Sequence, residues 1–250
     1  MVPSRRKFLT ATGAGAVGVD ASAMTGTAAF AAAAPAGPAP AKGGKTTLTP
    51  DQALALLKEG NRNYLTDSPV RSAVGRQRRL EIAQSQAPFA AYVTCSDSRV
   101  PPELLFGRGL GELFIIRNAG NTVDTVALGS IEYAVAVLGV PLVVVMGHER
   151  CGAVAAAASV VRENATFPGS IGRMIEPIIP AVLKAQGSPG DLVENSVREN
   201  VRRVANQLRT ATDPLLLDLQ RTGKLKVVGA YYDLDTGTVD FFDEPAPRRS

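Results

Sequence analysis

Both cysteines and the only histidine of this 250-residue chain fall in two short segments. The first segment carries Cys95, Asp97 and Arg99, and the second carries His148 and Cys151. Two thiolates and one imidazole are a ligand set that suits Zn²⁺, which prefers sulfur and nitrogen donors at a tetrahedral site. The residue types therefore predict a metal site that the two segments build together.

Asp97 is the candidate for a fourth ligand, because it follows Cys95 by two residues. A carboxylate on the metal would close the site with four protein ligands, which is the structural pattern, whereas an open fourth position admits water and is the catalytic pattern. Arg99 competes for the same carboxylate through a charge-assisted pair. The residues do not decide whether Asp97 binds the metal or pairs with Arg99. The position of Asp97 therefore determines whether the metal site is structural or catalytic.

A disulfide between Cys95 and Cys151 is the alternative, since two cysteines in an exported chain commonly form one. A disulfide would explain neither the Asp97 and Arg99 that follow the first cysteine nor the histidine near the second. The pattern therefore favours a metal over a disulfide.

The first 31 residues have the composition of a targeting signal rather than of a folded element. Arg5 and Arg6 precede a mildly apolar stretch rich in Ala and Gly, which resembles a twin-arginine export signal. We expect residues 1–31 to send the protein to the periplasm, the cell envelope or the medium. A stable membrane span is not expected, because Asp20 interrupts the stretch and Leu and Ile are scarce in it.

The remaining chain has the length of one domain with a core of its own. Residues 32–46 are rich in Ala, Pro and Gly and predict a flexible linker. Residues 47–244 are expected to form the folded domain that carries the candidate site, and residues 245–250 a tail. Loss of residues 1–31 removes three basic residues and one acidic residue, which lowers the formal net charge from +4 to +2. A charge this small gives no reason to expect nucleic-acid binding.

Three short apolar runs must position the candidate ligands. Residues 88–94 end at Cys95, residues 112–116 form the second run, and residues 141–146 end just before His148. Each run is rich in Val, Ile or aromatic residues and has helical sequence after it, which predicts buried parallel strands. Open α/β sheets bind ligands beyond the carboxyl ends of their strands, so Cys95 and His148 are expected at the same edge.

Helical sequence surrounds these runs. Thr49, Pro50 and Gln52 are residue types expected at the N-cap, N1 and N3, so they predict a capping box at the start of a helix. The Ala-rich residues 152–161 predict a further helix with Cys151 at its N-terminus, a position that lowers a thiol pKa.

Apolar residues at helical spacing over 123–138 and over 193–208 predict two more helices. Residues 225–232 and 239–242 predict two strands joined by a turn, which complete the sheet at one edge. Together these patterns predict an α/β fold with a mostly parallel central β-sheet flanked by helices.

The two chemistry-bearing segments resemble the signature motifs of the β-class carbonic anhydrases. The similar stretches are Cys95-Ser96-Asp97-Ser98-Arg99-Val100-Pro101, Gly147-His148-Glu149-Arg150-Cys151-Gly152 and, between them, Arg117-Asn118-Ala119-Gly120-Asn121. The likeness runs from about Thr49 to Phe242. It implies zinc on Cys95, His148 and Cys151, and a catalytic dyad of Asp97 and Arg99. It also implies an N-terminal helical arm that lies across a second subunit.

The resemblance implies reversible hydration of carbon dioxide to bicarbonate and a proton, with Zn²⁺ lowering the pKa of a bound water toward about 7. The expected partners are the small-molecule substrate and further copies of the chain, in a homodimer or a dimer of dimers. Two other functions remain open: a carbonyl sulfide or carbon disulfide hydrolase on the same fold, and a non-catalytic zinc-binding protein closed by Asp97. A buffer, a water chain, Glu149 or Tyr92 could carry the proton away.

Overall fold

A five-stranded sheet with the order β2-β1-β3-β4-β5 forms the centre of the fold in this computed structural model, which describes residues 44–67 and 73–245. The strands are β1 (Ala90–Thr94), β2 (Leu113–Arg117), β3 (Leu142–His148), β4 (Lys226–Tyr232) and β5 (Val239–Asp243). Strands β1 to β4 are parallel, and β5 pairs with β4 in the antiparallel sense at one edge. The predicted fold class is therefore confirmed, including the final strand at an edge.

The register of the sheet brings the carboxyl ends of β1 and β3 side by side. Thr94, the last residue of β1, pairs with Met146 of β3. Every residue of both strands is buried. This explains their unbroken apolar sequence, since parallel strands inside a sheet are covered on both faces. Cys95 and His148 consequently emerge at the same edge, as predicted.

Helices cover both faces of the sheet. Their bounds are α1 (Pro50–Leu65), α2 (Arg76–Ile82), α3 (Pro102–Leu105), α4 (Thr125–Glu132), α5 (Gly152–Glu163), α6 (Ser170–Ile175), α7 (Ile179–Ala185), α8 (Leu192–Arg209) and α9 (Pro214–Arg221). Tyr133–Val137 continues α4 as a π-helix, and Glu176–Ile178 is a 3₁₀ turn between α6 and α7. Across residues 44–67 and 73–245, none of these helices combines the length and apolarity that a bilayer crossing requires.

Alternate residues of the central strands enter two different apolar clusters. Tyr92 and Val144 belong to the cluster that includes residues of α1, α5 and α7. Val93 and Val145 belong to the cluster that includes residues of α4, α8 and α9. This alternation is the period of two that a strand requires when it is covered on both sides.

The start of α1 has the predicted cap. The Thr49 hydroxyl accepts a hydrogen bond from the Gln52 backbone N–H, and the Gln52 side chain accepts one from the Thr49 backbone N–H. These bonds satisfy two groups that would otherwise lack a partner at a helix end. The predicted signal at 1–31, most of the linker at 32–46 and nearly all of the tail at 245–250 lie outside the described residues.

A close contact between α1 and the end of α3 requires glycine at position 60. A Cβ atom on Gly60 would lie 2.1 Å from the Phe106 carbonyl oxygen. We expect Gly60→Ala to lower the free energy of unfolding by about 3 kcal/mol, the upper part of the range for overpacked sites. Gly129→Ala on α4 is the matched control, because nothing lies within 4 Å of its Cβ position. Equal denaturation midpoints for the two variants would contradict the expected contact.

Candidate metal centre

The three predicted donors meet at the carboxyl edge of the sheet. Cys95 follows β1, His148 ends β3, and Cys151 caps the N-terminus of α5. Their ligand atoms all lie within 4.8 Å of one another, and all three residues are buried. Two segments that are distant in sequence thus form one compact group of donors.

The distance between the two sulfur atoms excludes a disulfide. Cys95 Sγ and Cys151 Sγ are 4.0 Å apart, and both cysteines are free. A disulfide would need about 2.05 Å. Two Zn–S bonds of about 2.3 Å at a tetrahedral angle would hold the sulfur atoms about 3.8 Å apart. The disulfide alternative is therefore wrong, and the spacing fits a tetrahedral metal.

The hydrogen bond made by His148 fixes which ring nitrogen can bind a metal. His148 Nδ1 lies 2.8 Å from the Glu149 carbonyl oxygen. A carbonyl can only accept, so Nδ1 carries the proton and Nε2 keeps its lone pair. Nε2 is buried, and within the described part of the chain it has no hydrogen-bond partner. A buried, bare nitrogen beside two thiols is the donor that Zn²⁺ takes from histidine.

The two thiols hold one negative charge much more readily than two. The Cys151 thiol, followed by His148 and the Gly120 N–H, lowers the pKa of Cys95 to about 4. The Cys95 group and burial raise the pKa of Cys151, although the α5 backbone N–H groups act in the opposite direction. The predicted contribution of the helix N-terminus is present, since these N–H groups lower the pKa of Cys151, but the neighbouring sulfur and burial outweigh it. A cation between the sulfurs would remove their mutual repulsion.

Asp97 is paired with Arg99 in the structure. Its Oδ1 accepts hydrogen bonds from Arg99 N and Nε, both at 2.9 Å, and its Oδ2 accepts from Arg99 Nη2 at 2.7 Å. The Arg99 hydrogen bonds hold the pKa of Asp97 well below its ordinary value of 3.8, so the carboxylate is ionised. Asp97 Oδ2 nevertheless lies only 3.9 Å from His148 Nε2. The carboxylate thus borders the donor group while Arg99 holds it, and its role as a metal ligand stays a prediction.

Arg117, at the end of β2, holds the backbone of the first ligand segment. Its Nε donates to the Cys95 carbonyl at 2.8 Å, and its Nη2 donates to the Asp97 carbonyl at 2.6 Å. The Gly120 N–H donates to Cys95 Sγ at 3.3 Å. Sequence reasoning gave these residues no individual role, although their resemblance to the family segment was the available signal.

The second ligand segment is fixed by the turn between β4 and β5. The Glu149 N–H donates to the Tyr232 carbonyl at 2.9 Å, and the Glu149 carboxylate accepts from the Leu234 N–H at 3.0 Å. Arg150, whose φ of 50° is left-handed, forms a two-pronged ion pair with Asp235. These contacts hold the strained turn between His148 and Cys151, and no pattern in the sequence predicted them.

The two residues proposed for proton transfer differ in access. Tyr92 is fully buried, with its hydroxyl 3.1 Å from Met146 Sδ, and burial raises its pKa well above 10.0. Glu149 retains 23% side-chain exposure beside the donor group. Of the two, only Glu149 has contact with solvent.

Comparisons with known proteins agree with this geometry. The family profile described as carbonic anhydrase matches residues 90–239. The carbonic anhydrase of Mycolicibacterium smegmatis is 37% identical over 191 residues, which cover 76% of this chain and 92% of that protein.

Solved structures give the class within the family. A Coccomyxa β-carbonic anhydrase in complex with acetazolamide is 27% identical, with a TM-score of 0.58, and the match covers 80% of this chain and 89% of that chain. One of two tetrameric β-carbonic anhydrases of Sordaria macrospora is 28% identical, with a TM-score of 0.57 and coverage of 64% and 83%. This chain therefore belongs to the carbonic anhydrase family, in its β class.

Proposed function

We propose that this protein catalyses the reversible hydration of carbon dioxide to bicarbonate and a proton, with Zn²⁺ held by Cys95, His148 and Cys151. The observation that carries the proposal is the group of three donors beside an aspartate that an arginine holds. When bound, Zn²⁺ would act as a Lewis acid that lowers the pKa of a coordinated water to about 7. Two thiolates also balance the charge of a divalent cation and leave a neutral centre.

Asp97 orients the attacking oxygen in this mechanism. Its carboxylate is ionised and can only accept hydrogen bonds, so it fixes the direction of an O–H group that points at it. Arg99 binds both carboxylate oxygens, and this restrains the carboxylate from turning to the metal. Asp97 thus supplies a hydrogen-bond acceptor beside the fourth position of the metal site. Arg99 keeps the Asp97 carboxylate from occupying that position.

The two other functions have less support. A non-catalytic zinc site would need Asp97 as the fourth ligand, but its carboxylate makes three hydrogen bonds to Arg99. A hydrolase of carbonyl sulfide or carbon disulfide would use the same donors. The family profile and the curated relatives are carbonic anhydrases, so hydration of carbon dioxide is favoured.

A stopped-flow hydration assay together with metal analysis tests the proposal. We expect about one zinc per chain and rapid hydration of carbon dioxide by the zinc-loaded protein, with little turnover of carbonyl sulfide. Zinc-loaded protein that is inactive toward carbon dioxide at every pH from about 6 to 9 would favour the closed, non-catalytic site. Faster turnover of carbonyl sulfide than of carbon dioxide would favour the hydrolase.

We also propose assembly into a homodimer or a dimer of dimers. Val126, Tyr133 and Val137 share one face of α4 and its π-helical continuation, and they are 78%, 47% and 53% exposed. An apolar face of this kind is typical of a subunit interface. The tetrameric Sordaria macrospora relative supports the proposal.

Sedimentation of two lysine variants tests the assembly. Val126→Lys is expected to shift the protein toward smaller species, because the interface would have to bury an unpaired charge. Leu183→Lys, on α7, is the matched control because Leu183 is 53% exposed outside this face. A monomeric parent protein with full activity would contradict the proposal, as would an equal effect of both variants. Deletion of residues 47–66 should also weaken assembly.

The proposed export by the twin-arginine route depends on residues 1–31 alone. We expect Arg5→Lys combined with Arg6→Lys to retain the protein in the cytoplasm, since the signal is read by a receptor. Cell fractionation measures the distribution. Unchanged export of the double variant would exclude this route.

A further inference from the structure

Asn200 is a buried amide whose place in the core calls for an explanation. It lies on α8 beside the buried residue Val201 and is 1% exposed. Within the described chain its side chain makes one hydrogen bond, from Nδ2 to the Gly120 carbonyl at 2.8 Å, and its Oδ1 has no partner. Burial of an amide with so few bonds is unfavourable. The bond to Gly120 is therefore the contact through which the residue acts.

Gly120 in turn touches the candidate metal centre. Its N–H donates to Cys95 Sγ at 3.3 Å, whereas its carbonyl accepts from Asn200. The two hydrogen bonds therefore hold the residue on both sides. A hydrogen bond from a backbone N–H orients a sulfur ligand and reduces the charge that it donates to a metal.

Gly120 has no side chain that could restrain its backbone, and a larger residue would not fit at this position. Its φ of 78° lies in the left-handed region, and a Cβ would come within 2.5 Å of Ile178 Cδ1. Glycine gives the backbone freedom at this position, so another group has to fix the direction of the N–H. The Asn200 side chain, which is buried and hydrogen-bonded to the Gly120 carbonyl, is that group.

We propose that Asn200 is a positioning residue for the metal centre: through Gly120 it fixes the N–H that holds Cys95 Sγ. It thereby sets the geometry and donor strength of that sulfur. The inference rests on the proposed metal site and adds a residue that is remote from it in sequence. The hydrogen bond of Asn200 reaches the Gly120 carbonyl rather than a metal ligand, so its effect passes through the backbone of residue 120.

The test compares Asn200→Leu and Asn200→Ala with Ser196→Ala. Both Asn200 variants remove the donor, one with nearly the original shape and one with the least risk of a clash. Ser196 is a matched control, because it is fully buried one turn earlier on α8. Among the described residues, the hydrogen bond of its hydroxyl goes to the Leu192 carbonyl of the same helix. Loss of a buried polar group from α8 is thus common to all three variants.

The full-length protein is loaded with Co²⁺ as a spectroscopic probe, and Zn²⁺ affinity is measured by competition with a chelator. We expect both Asn200 variants to change the energy of the thiolate-to-cobalt absorption band and to weaken Zn²⁺ binding by about tenfold, as loss of an outer-shell partner does. Ser196→Ala should leave the band and the affinity unchanged. A general loss of stability would not change the cobalt band and the zinc affinity in the Asn200 variants while leaving both unchanged in Ser196→Ala.

Two results with the variants would overturn the inference. One is a parental cobalt spectrum together with parental zinc affinity in whichever Asn200 variant folds, and the other is an equal change in Ser196→Ala. A parent protein that binds metal but does not hydrate carbon dioxide would overturn the proposed function and leave the role of Asn200 intact. A parent protein that binds no metal would overturn both.

Discussion

Replacement of His148 by alanine is expected to abolish tight zinc binding, and hydration activity with it. His148 Nε2 is the only nitrogen in the buried group of three donors, and two sulfur atoms alone do not complete a tetrahedral site. The loss of affinity should exceed the roughly 100-fold that removal of an outer-shell partner can cost. Metal analysis after dialysis and a stopped-flow hydration assay measure the two effects. Cys95→Ser and Cys151→Ser should behave in the same way.

Tyr92→Phe is the control for this series. Tyr92 is fully buried in β1, and its hydroxyl contacts Met146 rather than a donor. The variant should therefore keep its zinc and its activity. Full zinc retention in any one of the three ligand variants would show that the proposed ligand set is wrong.

Asp97→Asn is expected to keep zinc but to lose activity by about 100-fold or more, the range for loss of a residue that handles the reacting proton. The three strong donors remain, so the metal stays bound. An amide, however, presents an N–H₂ group where the carboxylate only accepted, and it no longer forms an ion pair with Arg99. Hydration rates equal to those of the parent would contradict the orienting role, whatever the metal content.

The pH dependence of this loss follows from the pKa of Asp97. Arg99 lowers that pKa below its ordinary value of 3.8, so the parent carboxylate is charged throughout the neutral range. Its charge is lost only when the pH falls through the lowered pKa. The Asp97→Asn defect should therefore have the same size from about pH 6 to pH 9, well above the ordinary carboxyl pKa.

Arg99→Ala should give a different profile. Without Arg99 the Asp97 pKa rises toward 3.8, which still leaves the carboxylate ionised at pH 6. The freed carboxylate, 3.9 Å from His148 Nε2, can then compete for the fourth position on the metal. Since the competing solvent ligand is weakest at low pH, activity should fall most there, with zinc retained. An equal loss at all pH values would contradict the competition between Arg99 and the metal.

The sequence predicted the sheet and the donor group because both have strong local signals. Buried parallel strands produce unbroken apolar runs, and β1 and β3 are buried at every residue. The donor types were equally clear, since the chain has two cysteines and one histidine. Rare residue types at the ends of such runs identify a site without any knowledge of its geometry.

The remaining features of the site depend on distances between residues that are far apart in the sequence, and a local sequence pattern does not predict such distances. The high pKa of Cys151 follows from a sulfur 4.0 Å away, which outweighs the helix that the sequence did predict. The bond from Asn200 to the Gly120 carbonyl joins residues that are 80 positions apart. Contacts of this kind become visible only when the sheet has brought α8 beside the loop after β2.

The arrangement of β1 and β3 as neighbours couples metal uptake to folding. Cys95 follows β1 and His148 ends β3, so the two residues approach each other only when Thr94 has paired with Met146. An unfolded chain presents the same three side chains as separate, weak ligands, whereas the folded chain presents them within 4.8 Å of one another. Metal binding is therefore linked to the native state. A chelator, by removing the metal, should destabilise the folded protein and lower its melting temperature.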